Sequence, residues 1–202
     1  MTDLSFERAQ GWPHKKVAGV DEAGRGAWCG PVVAAAVVLP EGFDISPLAD
    51  SKKLSPKRRA YLRTMIEEQA CFGVGFSDAS EIDAVNILQA TFLAMQRALA
   101  SMNADFALID GNRAPQLPIG FETIIGGDDK SASIAAASII AKEVRDEWVH
   151  KAALDHPGYG WAKNKGYGTK DHRSALEVYG ATSLHRMSFR PMVDMDNHTS
   201  NE

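Results

Sequence analysis

The sequence predicts an α/β protein in which helices cover a mixed sheet, and three observations carry that prediction. Three strand-like runs come early, at residues 16–21, 32–39 and 71–76. Further strands then alternate with helical patterns to the end of the chain, an order that favours a sheet layered with helices. Two of the strands stop at an aspartate, and in open α/β sheets sites form beyond the carboxyl ends of strands.

The elements follow in chain order. Residues 16–21 read as a short strand ending in acid, and residues 32–39 as a buried Val/Ala/Leu strand. Residues 56–70 read as a helix, with Ser55 as N-cap and Pro56 at the first helical position. Residues 71–76 alternate apolar side chains with glycine and read as a third strand. Over residues 81–101, Ile82, Val85, Leu88, Phe92, Met95 and Leu99 recur at helical spacing on one apolar face. Residues 106–110 and 121–125 are two more short strands. Residues 133–154 form a long helix with Ile140, Val144 and Trp148 on one face and Glu143, Arg145 and Glu147 on others. A shorter helix covers residues 170–179, and the polar residues 191–202 read as a loose tail.

Composition narrows the class. A chain of 202 residues, 45% hydrophobic and 24% charged, suits one domain with one substantial core. A net charge of -4 gives no global nucleic-acid signal, so a nucleic-acid surface has to be a local patch. Cys29 and Cys71 are expected as reduced thiols, and neither has the companions of a structural zinc site. No apolar run suggests a signal peptide in residues 1–16 or a membrane span elsewhere, so a cytoplasmic protein without a membrane partner is the expectation.

The densest chemical signal is Gly19-Val20-Asp21-Glu22-Ala23-Gly24-Arg25-Gly26, followed by Gly30-Pro31-Val32-Val33-Ala34. Two adjacent acids at a strand end can reach one ion where the chain turns. The glycines allow close backbone approach and offer unhindered N–H groups. A charged hairpin turn would account for the same residues. Asp110 ends a second strand, though Asp110-Gly111 alone reads as a turn. Asp128 and Asp129 precede the long helix, where acids commonly serve as caps. Taken together, carboxylates at these element ends suggest a site for hard divalent cations. Two such ions roughly 3.5–4 Å apart activate a water and stabilise the leaving oxygen in phosphodiester cleavage.

These residues resemble the opening signature of bacterial ribonuclease HII, a type 2 ribonuclease H family. The resemblance continues through Asp50-Ser51-Lys52-Lys53-Leu54-Ser55, Asn86-Ile87-Leu88-Gln89-Ala90 and Ile109-Asp110-Gly111. It extends through residues 135–142 and 164–169 and closes with His185-Arg186 and Ser188-Phe189. No functional position departs from the pattern. The resemblance implies a ribonuclease H-like mixed sheet flanked by helices, with a small helical C-terminal extension. On this chain that divides residues 1–16 as an N-terminal lead, 17–156 as the catalytic core, 157–190 as a substrate-binding segment and 191–202 as a flexible tail. It also implies a four-carboxylate site of Asp21, Glu22, Asp110 and Asp128, holding Mg2+ or Mn2+. Asp128 is taken over Asp129 from its distance to Ser138 in the matching helix, and Asp146 is left to a solvated helix face.

Basic residues gather in two places. Lys52, Lys53, Lys57, Arg58, Arg59 and Arg63 form the first group, which solvated charge alone would explain. Lys163, Lys165, Lys170, His172, Arg173, His185, Arg186 and Arg190 form the second, interleaved with Tyr159, Trp161 and Tyr167. Glycine-loop amides with Lys and Arg suit phosphate contacts, and an aromatic ring can pack on a sugar or base. Lys52, Lys165, Lys170, Arg173 and Arg186 are the expected substrate contacts. By resemblance, Gly24-Arg25-Gly26 and Tyr167 recognise a ribonucleotide followed by a deoxyribonucleotide, through the 2′-hydroxyl that DNA lacks.

The function this implies is endoribonucleolytic cleavage of RNA in RNA–DNA hybrids and 5′ of ribonucleotides embedded in duplex DNA. The products carry 3′-hydroxyl and 5′-phosphate ends, and the roles are ribonucleotide excision and primer removal. The competing readings are a nuclease of the same fold acting on DNA alone, and a catalytically silent hybrid-binding module. The intact carboxylates argue against the second.

Overall fold

The computed structural model describes residues 2–194. Its centre is a five-stranded sheet in the order β3-β2-β1-β4-β5. The strands are β1 (Val17–Ala23), β2 (Val32–Val38), β3 (Cys71–Ser77), β4 (Phe106–Asp110) and β5 (Gly120–Ile124). β2 runs antiparallel to both β1 and β3, whereas β1, β4 and β5 are mutually parallel neighbours. The parallel pairing of β1 and β4 matters most, because it brings two aspartate-bearing carboxyl ends side by side.

Six helices complete the described residues: α1 (Ser5–Ala9), α2 (Pro56–Gln69), α3 (Ala79–Ala100), α4 (Ala132–Asp155), α5 (Trp161–Asn164) and α6 (Lys170–Tyr179). α4 lies on one face of the sheet with α2 outside it, and α3 lies on the other. The helices approach closely because the sheet is built from small residues. Ala34, Ala35 and Ala36 fill the middle of β2 and are fully buried. A Cβ on Gly73 or Gly75 would collide with the α3 backbone at Ala98 or Ala94, and one on Gly19 would collide with the first turn of α4. The Gly alternation in β3 is thus a helix-packing surface. Leu62 and Ile66 of α2 are fully buried against α4, each contributing about 1.5–3 kcal/mol.

The caps follow the sequence. Ser55 Oγ accepts from the Arg58 amide, and Asp78 forms a capping box with Glu81 at the start of α3. The periodic face expected over residues 81–101 breaks at Asn86, where φ is 70° and ψ is 163°. Asn86 Oδ1 accepts from the amides of Leu88 and Gln89, so the side chain caps a second helical segment. The break shifts the phase, which leaves Val85 exposed while Met95 and Leu99 stay buried.

The first and last of the described residues are more integrated than expected. Glu7 of α1 is 1% exposed and accepts from Ser131 Oγ, the Ser133 amide and Ser133 Oγ at the start of α4. The C-terminal extension contains an unexpected 3-10 turn at Pro157–Tyr159 as well as α5. It shares a core with the second half of α4 through Val149, Tyr159, Trp161, Leu176 and Met192. Met192 is buried, so the tail expected to be loose from residue 191 is anchored at its start. Residues 195–202, the rest of that expected tail, lie outside the described residues.

Candidate active site

Topology assembles the carboxylates. Asp21 and Glu22 stand at the end of β1, Asp110 at the end of β4, and Asp128 in the 3-10 turn Gly127–Asp129 before α4. Oxygens of Asp21, Asp110 and Asp128 lie within 4.8 Å of one another. Asp110 Oδ1 accepts the Gly127 amide at 2.7 Å, which ties the Asp128 turn to the end of β4. Asp21 Oδ1 accepts the Glu22 amide at 2.7 Å. Glu22 stands beside this group but is turned toward Arg25, 3.2 Å away. Asp129 points elsewhere, pairing with Lys53 at 2.6 Å.

The electrostatics match a cation site. Burial raises the Asp21 pKa well above the usual carboxylate range, and the neighbouring Glu22 and Asp110 charges raise it further. Burial likewise raises Glu22, against the lowering effect of Arg25. Burial and the charges of Asp110 and Asp50 raise Asp128. In contrast, the hydrogen bond from Lys53 lowers Asp129. Partial burial works against the Lys52 charge, but Asp50, Asp128 and Asp21 outweigh it and raise that pKa. Lys52 Nζ is 4.0 Å from Asp128 on a largely exposed side chain, which is loose compensation for three crowded carboxylates. An oxygen-only donor set under mutual repulsion fits hard divalent cations.

Asp21, Glu22, Gly24, Arg25, Gly26, Lys52 and Tyr167 line one cleft of about 410 Å³. Ser51, Ser138 and Lys142 complete it. The last three stood in matching sequence segments without an assigned role, as did Asp50, whose Oδ1 accepts the Lys52 amide at 2.9 Å. Asp146 is not on a solvated face: it is largely buried and accepts from Lys142 Nζ at 2.7 Å. The break at Asn86 also bears on the site, because Leu88 and Thr91 just beyond it border a smaller pocket with Glu22 and Asp110.

The basic residues separate into two kinds. Lys170 and Arg173 are exposed, Lys165 is half-buried, and the Arg173 guanidinium lies 5.6 Å from the centre of a Trp28 ring. Arg186, expected at phosphate, is fully buried instead. Its guanidinium donates to the carbonyls of Gly30 and Arg25, so the side chain props the Gly24–Gly30 loop from behind. Arg145, placed by periodicity away from the apolar face, is also fully buried, between the loop after β1 and the Lys165 turn of the C-terminal extension.

His172 and His185 are buried rather than facing phosphate. Burial lowers the His172 pKa, and burial with the neighbouring His172 pushes His185 down to about 4. The Trp161 indole N–H, which can only donate, points at His172 Nε2. That fixes His172 Nε2 as an acceptor and its Nδ1 as the donor to the Tyr167 carbonyl at 3.1 Å. In the first basic group, Arg59 and Arg63 are engaged with Glu143, Glu67 and Glu147.

No helix among the described residues is long and apolar enough to cross a membrane. Cys29 and Cys71 are both free thiols.

Proteins similar to this chain in sequence and fold include ribonucleases. The family model for ribonuclease HII matches residues 18–192. The chain is 52% identical over 200 residues to a ribonuclease HII of Rhodospirillum rubrum, covering 95% of this chain and 90% of that one. It is 52% identical over 179 residues to a ribonuclease HII of Rhizorhabdus wittichii, covering 88% and 89%. Among solved structures, the PCNA:RNase HII complex from Archaeoglobus fulgidus aligns at a TM-score of 0.73 and 25% identity, covering 87% of this chain and 95% of that chain. Sheet order, carboxylate geometry and these matches agree: the chain belongs to the ribonuclease HII family of metal-dependent endoribonucleases, which act on RNA–DNA hybrids.

Proposed function

We propose that this chain cuts the RNA strand of hybrids and also cuts 5′ of single ribonucleotides in duplex DNA, leaving 3′-hydroxyl and 5′-phosphate ends. The observation that carries the proposal is one cleft containing three features: the carboxylates of Asp21 and Glu22, the Gly24–Gly26 loop, and Tyr167.

Asp21, Asp110 and Asp128, with Glu22 beside them, are the residues that would hold Mg2+ or Mn2+. Such ions, when bound, supply an activated water and charge stabilisation for the leaving oxygen. The remaining work falls to the chain. Amides of the Gly24–Gly26 loop and the Arg25 side chain face the 2′-hydroxyl, which both donates and accepts. Tyr167, partly exposed at the cleft, packs on the following sugar and favours one without a 2′-hydroxyl. Lys52, Lys165, Lys170 and Arg173 contact phosphates and set the register of the duplex. Residues 157–190 form the substrate-binding side, and residues 17–156 hold the chemistry. The cellular roles this reading assigns are ribonucleotide excision and primer removal.

The experiment uses labelled duplex DNA with one ribonucleotide, an all-DNA duplex and a long RNA–DNA hybrid. Each is tested with Mg2+, with Mn2+ and with excess chelator. Cleavage 5′ of the ribonucleotide, none of the all-DNA duplex and none in chelator are expected. Cleavage of the all-DNA duplex, or full activity in chelator, would overturn the reading.

A further inference from the structure

We infer that Arg145 is a positioning residue for substrate choice: it sets the Tyr167 ring against the Gly24–Gly26 loop. This rests on the reading of Tyr167 and that loop as substrate contacts.

Arg145 stands on α4, the helix that begins three residues after Asp129, and is fully buried. A buried guanidinium is costly unless its donors are used. Here they go entirely to backbone. Nε donates to the Pro31 carbonyl at 3.2 Å, Nη2 to the Cys29 carbonyl at 3.3 Å and Nη1 to the Lys165 carbonyl at 3.0 Å. Among the described residues it makes no ion pair. Two of those carbonyls belong to the turn after the Gly24–Gly26 loop. The third belongs to the turn that presents Tyr167.

The guanidinium carbon also lies 5.2 Å from the centre of the Tyr167 ring. It therefore touches the ring itself as well as the backbone on either side of the cleft. The fit against the first loop is close. Gly24 has φ +92°, and a Cβ there would overlap the Arg145 Nε. Lys165, whose carbonyl Arg145 holds, is in the left-handed region at φ 53°, so the turn before Tyr167 occupies a conformation that a side-chain-bearing residue adopts only under constraint. The Trp28 amide donates to the Gly166 carbonyl at 2.8 Å and closes the two loops on each other. Lysine carries the same charge on one point, and could not reach three carbonyls and a ring face together.

The test compares Arg145→Lys, Tyr167→Ala and the double variant on a single-ribonucleotide duplex and a long hybrid. A misplaced Tyr167 predicts a loss in kcat/KM of about 10- to 100-fold for Arg145→Lys on the single-ribonucleotide duplex. The loss on the long hybrid should be several-fold smaller. In the Tyr167→Ala background the same substitution should have almost no further effect. Hydrogen exchange should quicken at residues 165–168 while the amides of α4 stay protected.

Equal losses on both substrates, losses that add in the double variant, or faster exchange throughout α4 would overturn the inference and leave Arg145 as core scaffolding. If Arg145→Lys fails to fold, Arg145→Gln keeps a neutral donor of shorter reach at the same place, and the same pattern of substrate losses and exchange decides. Failure of the underlying reading looks different: wild-type protein would cut without regard to the ribonucleotide. The exchange measurement would then still report whether Arg145 holds the Tyr167 turn.

Discussion

Two groups of like charge, largely withdrawn from water, border the loop between β1 and β2. One is negative: Asp21, Asp110 and Asp128, with oxygens within 4.8 Å of one another. The other is positive: Arg145 and Arg186, both fully buried. The negative group keeps much of its oxygen capacity unspent, with Asp110 and Asp21 accepting backbone amides of Gly127 and Glu22. The positive group spends its donors on carbonyls of Arg25, Cys29, Gly30, Pro31 and Lys165. A buried charge whose partners are internal is a structural element. A group of crowded carboxylates offers oxygen donors of the kind that hard cations take.

The largest effect should come from breaking the negative group. Asp21→Asn, Asp110→Asn or Asp128→Asn removes ligand charge and should lower the cleavage rate by roughly 100-fold or more, about 3 kcal/mol of transition-state stabilisation. The same substitutions should raise the metal-free melting temperature, because repulsion is relieved. Single-turnover cleavage and melting curves report the two changes together. Loss of activity with loss of stability would make the carboxylates structural. Asp129→Asn is the internal control: it removes only an exposed pair with Lys53 and should leave cleavage intact.

The positive group should respond in the opposite way. Arg186→Met leaves the Gly30 and Arg25 carbonyls without their donor and should lower stability by about 2–4 kcal/mol. Denaturant melts would show this with or without metal. If Arg186→Met instead left stability unchanged and only weakened nucleic-acid binding, Arg186 would belong with the phosphate contacts after all.

Acid should sharpen the contrast. Burial and mutual repulsion raise Asp21 and Asp128, so the folded protein takes up protons there more readily than the unfolded chain. Metal-free stability from these groups is therefore fully present below the ordinary carboxylate range near pH 4 and is lost as pH rises through the raised values. Without metal, the melting-temperature advantage of Asp21→Asn over wild-type protein should grow as pH rises through the raised values, and adding Mg2+ should restore wild-type stability at the higher pH. The buried His172 and His185 pull the opposite way, because their lowered values leave the folded protein with fewer protons than the unfolded chain as pH falls below the ordinary histidine range, so the difference between Asp21→Asn and wild-type protein is the quantity to read.

The smallest effects belong to the exposed cations. Lys170→Ala and Arg173→Ala should each weaken hybrid binding modestly and reduce the salt slope by about 0.9, taking B-DNA as the guide. Binding that ignores salt would remove both from the interface.

Much of this organisation was legible in the sequence. Apolar runs, Ser55 before Pro56 and the Gly alternation of β3 marked the sheet and the long helices, because local periodicity and capping are local physics. The adjacent Asp21-Glu22 pair and the aspartate closing β4 marked the carboxylate cluster for the same reason: strand ends are where chemistry can gather. What remained hidden was every feature that depends on what covers a residue. Helical periodicity puts Arg145 away from the apolar face of α4, yet the loop between β1 and β2 and the Lys165 turn together bury it. His172, His185 and Arg186 resemble phosphate contacts as residue types, and only packing turns them inward. The Asn86 break looks like ordinary helix until its side chain caps the segment that follows. The sequence by itself determined which residues carry charge and which elements present them. Tertiary structure alone decided which of those charges face water, which line the cleft and which face a carbonyl, because burial is a property of contacts between segments distant in the chain.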